Sequence, residues 1–370
     1  MSIILFLIIL LVLIVAHEFG HFIAAKKAGV RVDEFAIGFP PKIFSWTRDE
    51  TRYSINLLPF GGFVKIFGED PNDESLIGAD RARSLTAKPR LVQAWVVLAG
   101  VLFNFILAWV LFSIGFLIGM PMPIDGAPKG ARFSGAALTI TQVLPGSPAE
   151  KAGLKPGDKI KELGTIDKKV NPLTAESVRE FISSHGNQKL AVVYEEGKGG
   201  KGETKGAILT AISGIVKEKP AIGVSFEIIG EATFPLHLAV WEGGRQTVVL
   251  TSRTVEALYD LGKKAVVGEA KITSLTGPVG IVGLVGTASQ FGFAYLISFI
   301  ALISVNLAVL NLLPFPALDG GRAFFILVES IIRRPISYKI TNAINAVGFV
   351  LLIILMIVVT YHDIVRLIVK

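Results

Sequence analysis

Four stretches of this chain are too long and too apolar for an ordinary soluble fold. The first covers residues 1–16, and its helical pattern continues to about Lys26. The second carries no charge from Leu91 to Ile124. The third is uncharged from Ile272 to Leu318 and densest from Phe293 to Leu313. The fourth runs from Ile340 to Tyr361. A bilayer core about 30 Å thick needs roughly 20 apolar residues in a helix, and each run supplies them. The composition agrees, with 51% of 370 residues hydrophobic. The expected fold is a polytopic α-helical membrane protein with about four transmembrane helices.

Charge sets the expected orientation. Lys26, Lys27 and Arg31 follow the first run, and Arg81, Arg83, Lys88 and Arg90 precede the second. Arg322, Arg333, Arg334 and Lys339 lie between the third and fourth. Short basic flanks stay in the cytoplasm, so residues 26–90 and 320–339 are expected there, and both termini and the segment between runs two and three outside. Arg366 and Lys370 run mildly against this. The first run leads into a histidine motif rather than a cleavage site, so it reads as a retained helix. The net charge of +7 fits Lys and Arg lining a membrane face, and no nucleic-acid partner is expected. The absence of cysteine excludes disulfides and thiolate metal sites.

Residues 126–230 read as an inserted soluble α+β domain. "TITQVLPGSPAEKAGLKPGDKIKELG" gives a strand, a short helix, a turn and a strand, with Gly153 placed as a helix C-cap and Pro156-Gly157-Asp158 as the turn. "TAESVREFISS" is an amphipathic helix with Thr174 as N-cap. "KLAVVYEE" and "GAILTAI" follow as strands around a Gly/Lys-rich hairpin. The segment "GSPAEKAGLKPGD" resembles PDZ domains of bacterial proteases, whose ligand here is not specified. Residues 231–292 read as amphipathic linker helices lying along the membrane surface. Residues 1–125 then form the first two membrane helices and their connecting loop, and 293–370 the last two.

The chemical centre is "HEFGH", inside the first run. Ionisable groups are costly in a bilayer and mark function there. On a helix His17 and His21 are one turn apart and can bind one metal. Glu18 is rotated about 100° away, so it can reach a water rather than the metal. Zinc lowers the pKa of water to about 7, and a nearby carboxylate can take the proton as water attacks a carbonyl. Zinc usually takes three protein ligands, so a third is needed. Asp319 is the candidate. It follows Pro314 and Pro316, which break the third helix, and precedes two glycines. An alternative reading makes Asp319 the N-cap of the next helix.

HEFGH in the first run, "NLLPFPALDGG" in the third and a PDZ-like insert between runs two and three resemble the site-2 protease family of intramembrane zinc metalloproteases, most nearly its bacterial regulator of sigma-E group. The resemblance covers nearly the whole chain. It implies a Zn2+ held by His17, His21 and Asp319, with Glu18 as catalytic carboxylate. It implies substrates that are single-span membrane proteins, often anti-sigma factors already trimmed outside, cut in regulated intramembrane proteolysis at the bacterial inner membrane. Asn306, Asn311, Pro314 and Pro316 are implied to hold substrate, although helix packing accounts for buried amides nearly as well. Gly100 and Asn104, one turn apart in the second run, match a family motif and read as packing. The group usually carries two tandem PDZ domains, whereas this chain has room for one.

A substrate helix must unwind before its peptide bonds are open to attack. "YSINLLPFGGFVKIFGE", residues 53–69, reads as a cytoplasmic-side β-hairpin with its turn near Pro59–Gly62, dipping into the lipid and offering an edge for strand addition. The competing class is a PDZ-bearing membrane adaptor with an inactive, structural metal site.

Overall fold

A computed structural model describes residues 2–69, 79–197, 202–216, 219–269 and 276–368. In chain order they form α1 (Ser2–Lys27), β1 (Val32–Arg48), β2 (Thr51–Ile66), α2 (Arg90–Ile118), β3 (Met120–Pro123), β4 (Arg132–Val143), α3 (Pro148–Lys151), β5 (Lys159–Gly164), α4 (Ala175–Ser184), β6 (Lys189–Glu195), β7 (Thr204–Thr210), β8 (Ile212–Val216), β9 (Lys219–Ala221), β10 (Val224–Thr233), α5 (Leu236–Val266), α6 (Pro278–Gln290), α7 (Phe293–Leu312), α8 (Asp319–Ile332) and α9 (Tyr338–Ile368). Four of these, α1, α2, α7 and α9, are long and apolar enough to cross a membrane. The chain divides into two compact bodies, residues 1–111, 243–286 and 299–370, and residues 112–242 and 287–298.

In the first body, α1 and α2 cross where both carry glycine. A Cβ on Gly20 would collide with the Ala99 carbonyl oxygen. Ala24, Ala25, Val30, Val32, Ile66, Leu85, Val96 and Ala99 close a core at the end of α1. Beside it lies a small sheet. The sequence leads one to expect a simple hairpin over 53–69, and the structure differs. Residues 62–66 and 51–56 do not pair with one another. Both flank the first part of β1, where Phe35 opposes Val64 on one side and Tyr53 on the other. Along the second seam the numbers rise together, from Glu34 with Arg52 to Ile37 with Ile55, so that stretch is parallel. The rest of β1 returns along β2, from Lys42 with Asn56 to Arg48 with Thr51. The order across the sheet is therefore 42–48, 51–56, 32–37, 62–66. A lone hairpin is marginal in water, and three or more strands give a stable layer. The central strand "VDEFAIG" completes that layer, and its partners lie up to 34 residues away, from Val32 to Ile66.

The second body is built on a six-stranded sheet, ordered β3-β10-β4-β5-β6-β7. Helix α4 buries Val178 and Ile182 with Ile140, Leu163, Leu190 and Phe226. The expected strand, short helix, turn, strand, helix and paired strands are all present. Thr174 Oγ1 accepts the Ser177 N–H at 3.2 Å as an N-cap. Gly153, just past α3, has φ +82° and Gly157 in the turn +94°, both conformations that side chains with a Cβ rarely adopt. The tip of the Gly/Lys-rich hairpin, 198–201, lies outside the described residues.

Candidate metal centre

The centre is assembled from α1, α2 and the α7–α8 junction, all in the first body. His17 and His21 face one way from α1 and are buried, 8% and 9% exposed. His21 Nδ1 lies 2.9 Å from the Val96 carbonyl oxygen. A carbonyl only accepts, so this nitrogen carries the hydrogen and the neutral ring keeps a lone pair on Nε2. His17 Nδ1 is 3.2 Å from the amide Nδ2 of Asn104, a fully buried residue of α2. The two Nε2 atoms are 3.3 Å apart.

Asp319 arrives from the break after α7. Its position depends on glycine, because a Cβ on Gly320 would strike the Leu312 and Leu313 carbonyls and one on Gly321 the Phe315 carbonyl. Residue Leu318, not Asp319, is the N-cap of α8, and no side chain caps the helix. The Asp319 carboxylate turns to the imidazoles instead. Its Oδ2 is 3.0 Å from His17 Nε2 and 3.4 Å from His21 Nε2. The same oxygen is buried and makes no hydrogen bond. These facts agree, because His21 has already spent its N–H on Val96 and can offer Asp319 only a lone pair.

Three candidate ligand atoms stand 3.0 to 3.4 Å apart in a buried site. Tetrahedral zinc with bonds of about 2.0–2.1 Å spaces its ligands about 3.3–3.4 Å apart. The donor set, its spacing and the orphaned oxygen all fit such an ion. Among the described residues no other group of three His or carboxylate side chains comes together. A Cβ on Gly100 would drive into His21 Nε2 and lie 2.8 Å from His17 Cε1. Gly100, which the sequence suggests is packing, borders the ligand atoms because only a bare backbone fits against both rings.

Glu18 is half-buried beside the triangle. Its Cγ is 3.7 Å from where a Gly62 Cβ would stand, and the Val64 backbone N–H is directed at its carboxyl group. The 62–66 edge of the sheet therefore runs past Glu18.

The remaining sequence candidates are distributed differently. Asn306 Oδ1 accepts the hydroxyl of Thr254 in α5 at 2.8 Å, a bond between helices. Asn311 is half-buried in the last turn of α7, Pro314 is exposed and Pro316 half-buried. Two residues of α9 that the sequence does not single out hold this loop. Asn345 Oδ1 accepts the Ala317 N–H at 3.2 Å, and a Cβ on Gly348 would come within 2.5 Å of Pro316 Cβ. Asn104 had an available signal, since an amide deep in an apolar run is costly unless bonded. Asn345 had none, because its partner is a backbone group 28 residues away.

Comparison with known proteins places the chain as a whole. A family model described as peptidase family M50 matches residues 5–355. The chain is 38% identical over 354 positions to a protein of Clostridium perfringens described as a zinc metalloprotease, and the match covers 95% of each. It is 30% identical to zinc metalloprotease RasP of Geobacillus kaustophilus, over 98% of this chain and 97% of that one. That alignment has 451 positions against 370 residues here, so RasP has segments with no counterpart in this chain. With four helices fit to cross a membrane and the zinc-type donor set among them, the chain belongs to peptidase family M50, the site-2 protease family of zinc-dependent metalloproteases.

Proposed function

We propose that this protein is an intramembrane zinc endopeptidase that hydrolyses a peptide bond within or near the transmembrane segment of single-span membrane proteins. The observation that carries the reading is the convergence of His17, His21 and Asp319 within 3.4 Å, two of them on a helix apolar enough to span a bilayer. Zinc held by those three residues supplies Lewis-acid polarisation of a carbonyl and a water of lowered pKa. The chain's own groups do the rest. Val96 and Asn104 back the imidazoles, and with the Asn104 amide turned so that its oxygen accepts the His17 Nδ1–H both Nε2 lone pairs point at one place. Glu18 stands beside that place as the general base that takes the water's proton and later returns it to the leaving amine.

Substrate geometry follows from the sheet edge. A helix hides its peptide bonds, whereas a strand presents them. Among the described residues, segment 62–66 pairs only with 32–37, so its other side, which faces Glu18, has no strand partner and could take an extended segment. An unwound substrate added there would pass Glu18 and the metal. The outer arm of the sheet exposes Ile43, Phe44 and Trp46 at 63%, 58% and 46%. Exposed apolar edges are avoided in water, which favours a seat in lipid. Asn306, Asn311, Pro314 and Pro316 remain the residues proposed to hold substrate at the broken end of α7.

Residues 126–230, within the second body, are read as one PDZ-like domain outside the membrane, with the 26–90 and 320–339 segments in the cytoplasm. Anti-sigma factors trimmed on the outer side are the substrate type in view, which makes the reaction a step of regulated intramembrane proteolysis. The deciding experiment is metal analysis with cleavage of a tagged single-span peptide in reconstituted protein. Wild type should hold one zinc and cleave. Glu18→Gln should keep zinc and lose cleavage, and Asp319→Ala should lose both. Equal cleavage by wild type and Glu18→Gln would refute the enzyme reading and leave the adaptor.

A further inference from the structure

A groove in the first body, outside the metal centre, lies where the apolar part of α1 ends and that of α2 begins. Its volume is about 500 Å³, within the usual range for small-molecule sites. Its floor is small and apolar, with Ala24 buried and Ala28 half-buried. Its flank presents Leu91 and Trp95, which are 85% and 55% exposed. Its mouth carries two ammonium groups, Lys27 and Lys88.

The groove is polarised. Lys88 is half-buried, and its Nζ lies 3.6 Å from where a Cβ on Gly29 would stand, just past the last turn of α1. The negative end of the α1 dipole favours a cation there and holds it in place. Neither Lys27 nor Lys88 has a carboxylate partner among the described residues. The neighbouring cations differ, since Lys26 and Arg83 share Glu50 and Arg31 is paired with Asp33 and Asp80. Two positive charges with no carboxylate partner among the described residues thus top an apolar trough at the end of two helices fit to cross a membrane. A leucine this exposed is costly in water and ordinary against an acyl chain. Tryptophan is at home at the boundary between lipid and headgroup.

We propose that this groove is a binding site for one anionic phospholipid, its headgroup phosphate between Lys27 and Lys88 and the start of an acyl chain along Leu91 and Trp95. Charge complementarity selects an anion, and the apolar trough selects one that carries a lipid tail. Basic pockets between membrane helices hold acidic headgroups by the same physics. The inference does not depend on the protease reading.

The test uses Trp95 as its own probe. The full chain with Trp46, Trp109 and Trp241 replaced by phenylalanine is reconstituted in phosphatidylcholine bilayers. Brominated phosphatidylglycerol or brominated phosphatidylcholine is then added at equal mole fraction, and quenching of Trp95 is read. The anionic lipid is expected to be enriched roughly ten-fold over the zwitterionic one at Trp95. Lys27→Gln with Lys88→Gln should bring that ratio to about one. The charge-matched pair Arg334→Gln with Lys339→Gln should leave it unchanged. Equal quenching by the two lipids in the parent protein would overturn the proposal, as would an equal loss in both variant pairs, which would mark a general surface potential. Reversal by millimolar inorganic phosphate would also overturn it, by making the ligand a free anion.

Discussion

A ligand histidine is only as good as the hydrogen on its far nitrogen. His21 is settled by the Val96 carbonyl. His17 depends on Asn104, whose amide can present either end. With its NH2 toward Nδ1, the hydrogen of a neutral His17 must sit on Nε2, and the ring cannot bind metal there. With its oxygen toward Nδ1, the amide accepts the ring N–H and frees the Nε2 lone pair. The buried Asn104 Oδ1 has no other partner, so this turn also satisfies it. Asn104→Leu, similar in shape but without an acceptor, should therefore weaken zinc binding about 10- to 100-fold. Asn104→Asp, which can only accept, should retain it. Chelator competition measures both, and equal loss in the two variants would reduce Asn104 to a packing residue. Glu18 gives the complementary case. Glu18→Gln removes a proton acceptor but no ligand, so the rate should fall about 10²- to 10⁴-fold at unchanged zinc content.

At the scale of elements, legibility followed the range of the interactions. Helices α1, α2, α7 and α9 depend on local hydropathy, and α7 ends within one residue of the expected Phe293–Leu313 stretch. The Thr174 cap and the Gly153 turn depend on neighbours three or four residues off and were equally readable. The order of the small sheet was not, because strand 32–37 shows its role only once residues 51–56 and 62–66 have come to either side. Within the site, the helical period brings His17, Glu18 and His21 together, whereas Asp319 was a candidate from the helix break before it and a ligand only by the family resemblance. The part of Gly100 was illegible, since a glycine that packs helices and one that makes room for two imidazoles look alike in a sequence. The second body carries its own prediction. Burial is the largest influence on the Asp158 carboxyl and raises it above the ordinary value, while the Lys155 and Gly197 N–H groups pull the other way without cancelling it. The folded body then holds this proton to higher pH than the unfolded chain. The stabilisation is complete below the unfolded pKa of about 3.9 and disappears as pH rises through the raised value. Asp158→Asn should be less stable, having lost one acceptor, but flat across that window. Pulse proteolysis of the insert in urea from about pH 4 to pH 6 reads the slope, and an unchanged slope in the variant would assign it to another group.

At the scale of the whole molecule, the metal centre constrains how the chain threads the membrane. His17 lies toward the C-terminal end of α1, and Asp319 follows the C-terminal end of α7, yet the two side chains stand 3.0 Å apart. Helices α1 and α7 must therefore run the same way. The charge count gives that direction a proposed sign. Arg31 is bonded to Asp33 and Asp80, and Arg322 to Glu69, but orientation responds to the number of Lys and Arg in short flanks rather than to net charge. The lysines of the insert weigh little, because long segments are translocated regardless of charge. On that count we propose that residues 26–90 and 320–339 face the cytoplasm and the insert faces out. The chain has no cysteine, so single introduced thiols report their side cleanly. Ile166, 99% exposed in the insert, and Arg334, exposed between α8 and α9, flank α7. In intact spheroplasts a membrane-impermeant maleimide should label Ile166→Cys at once, and Arg334→Cys only after permeabilisation. The reverse pattern would invert the orientation while leaving the site intact. Labelling of both from one side would mean that α7 does not cross, and a zinc site at its broken end would then lie outside the membrane's hydrophobic core.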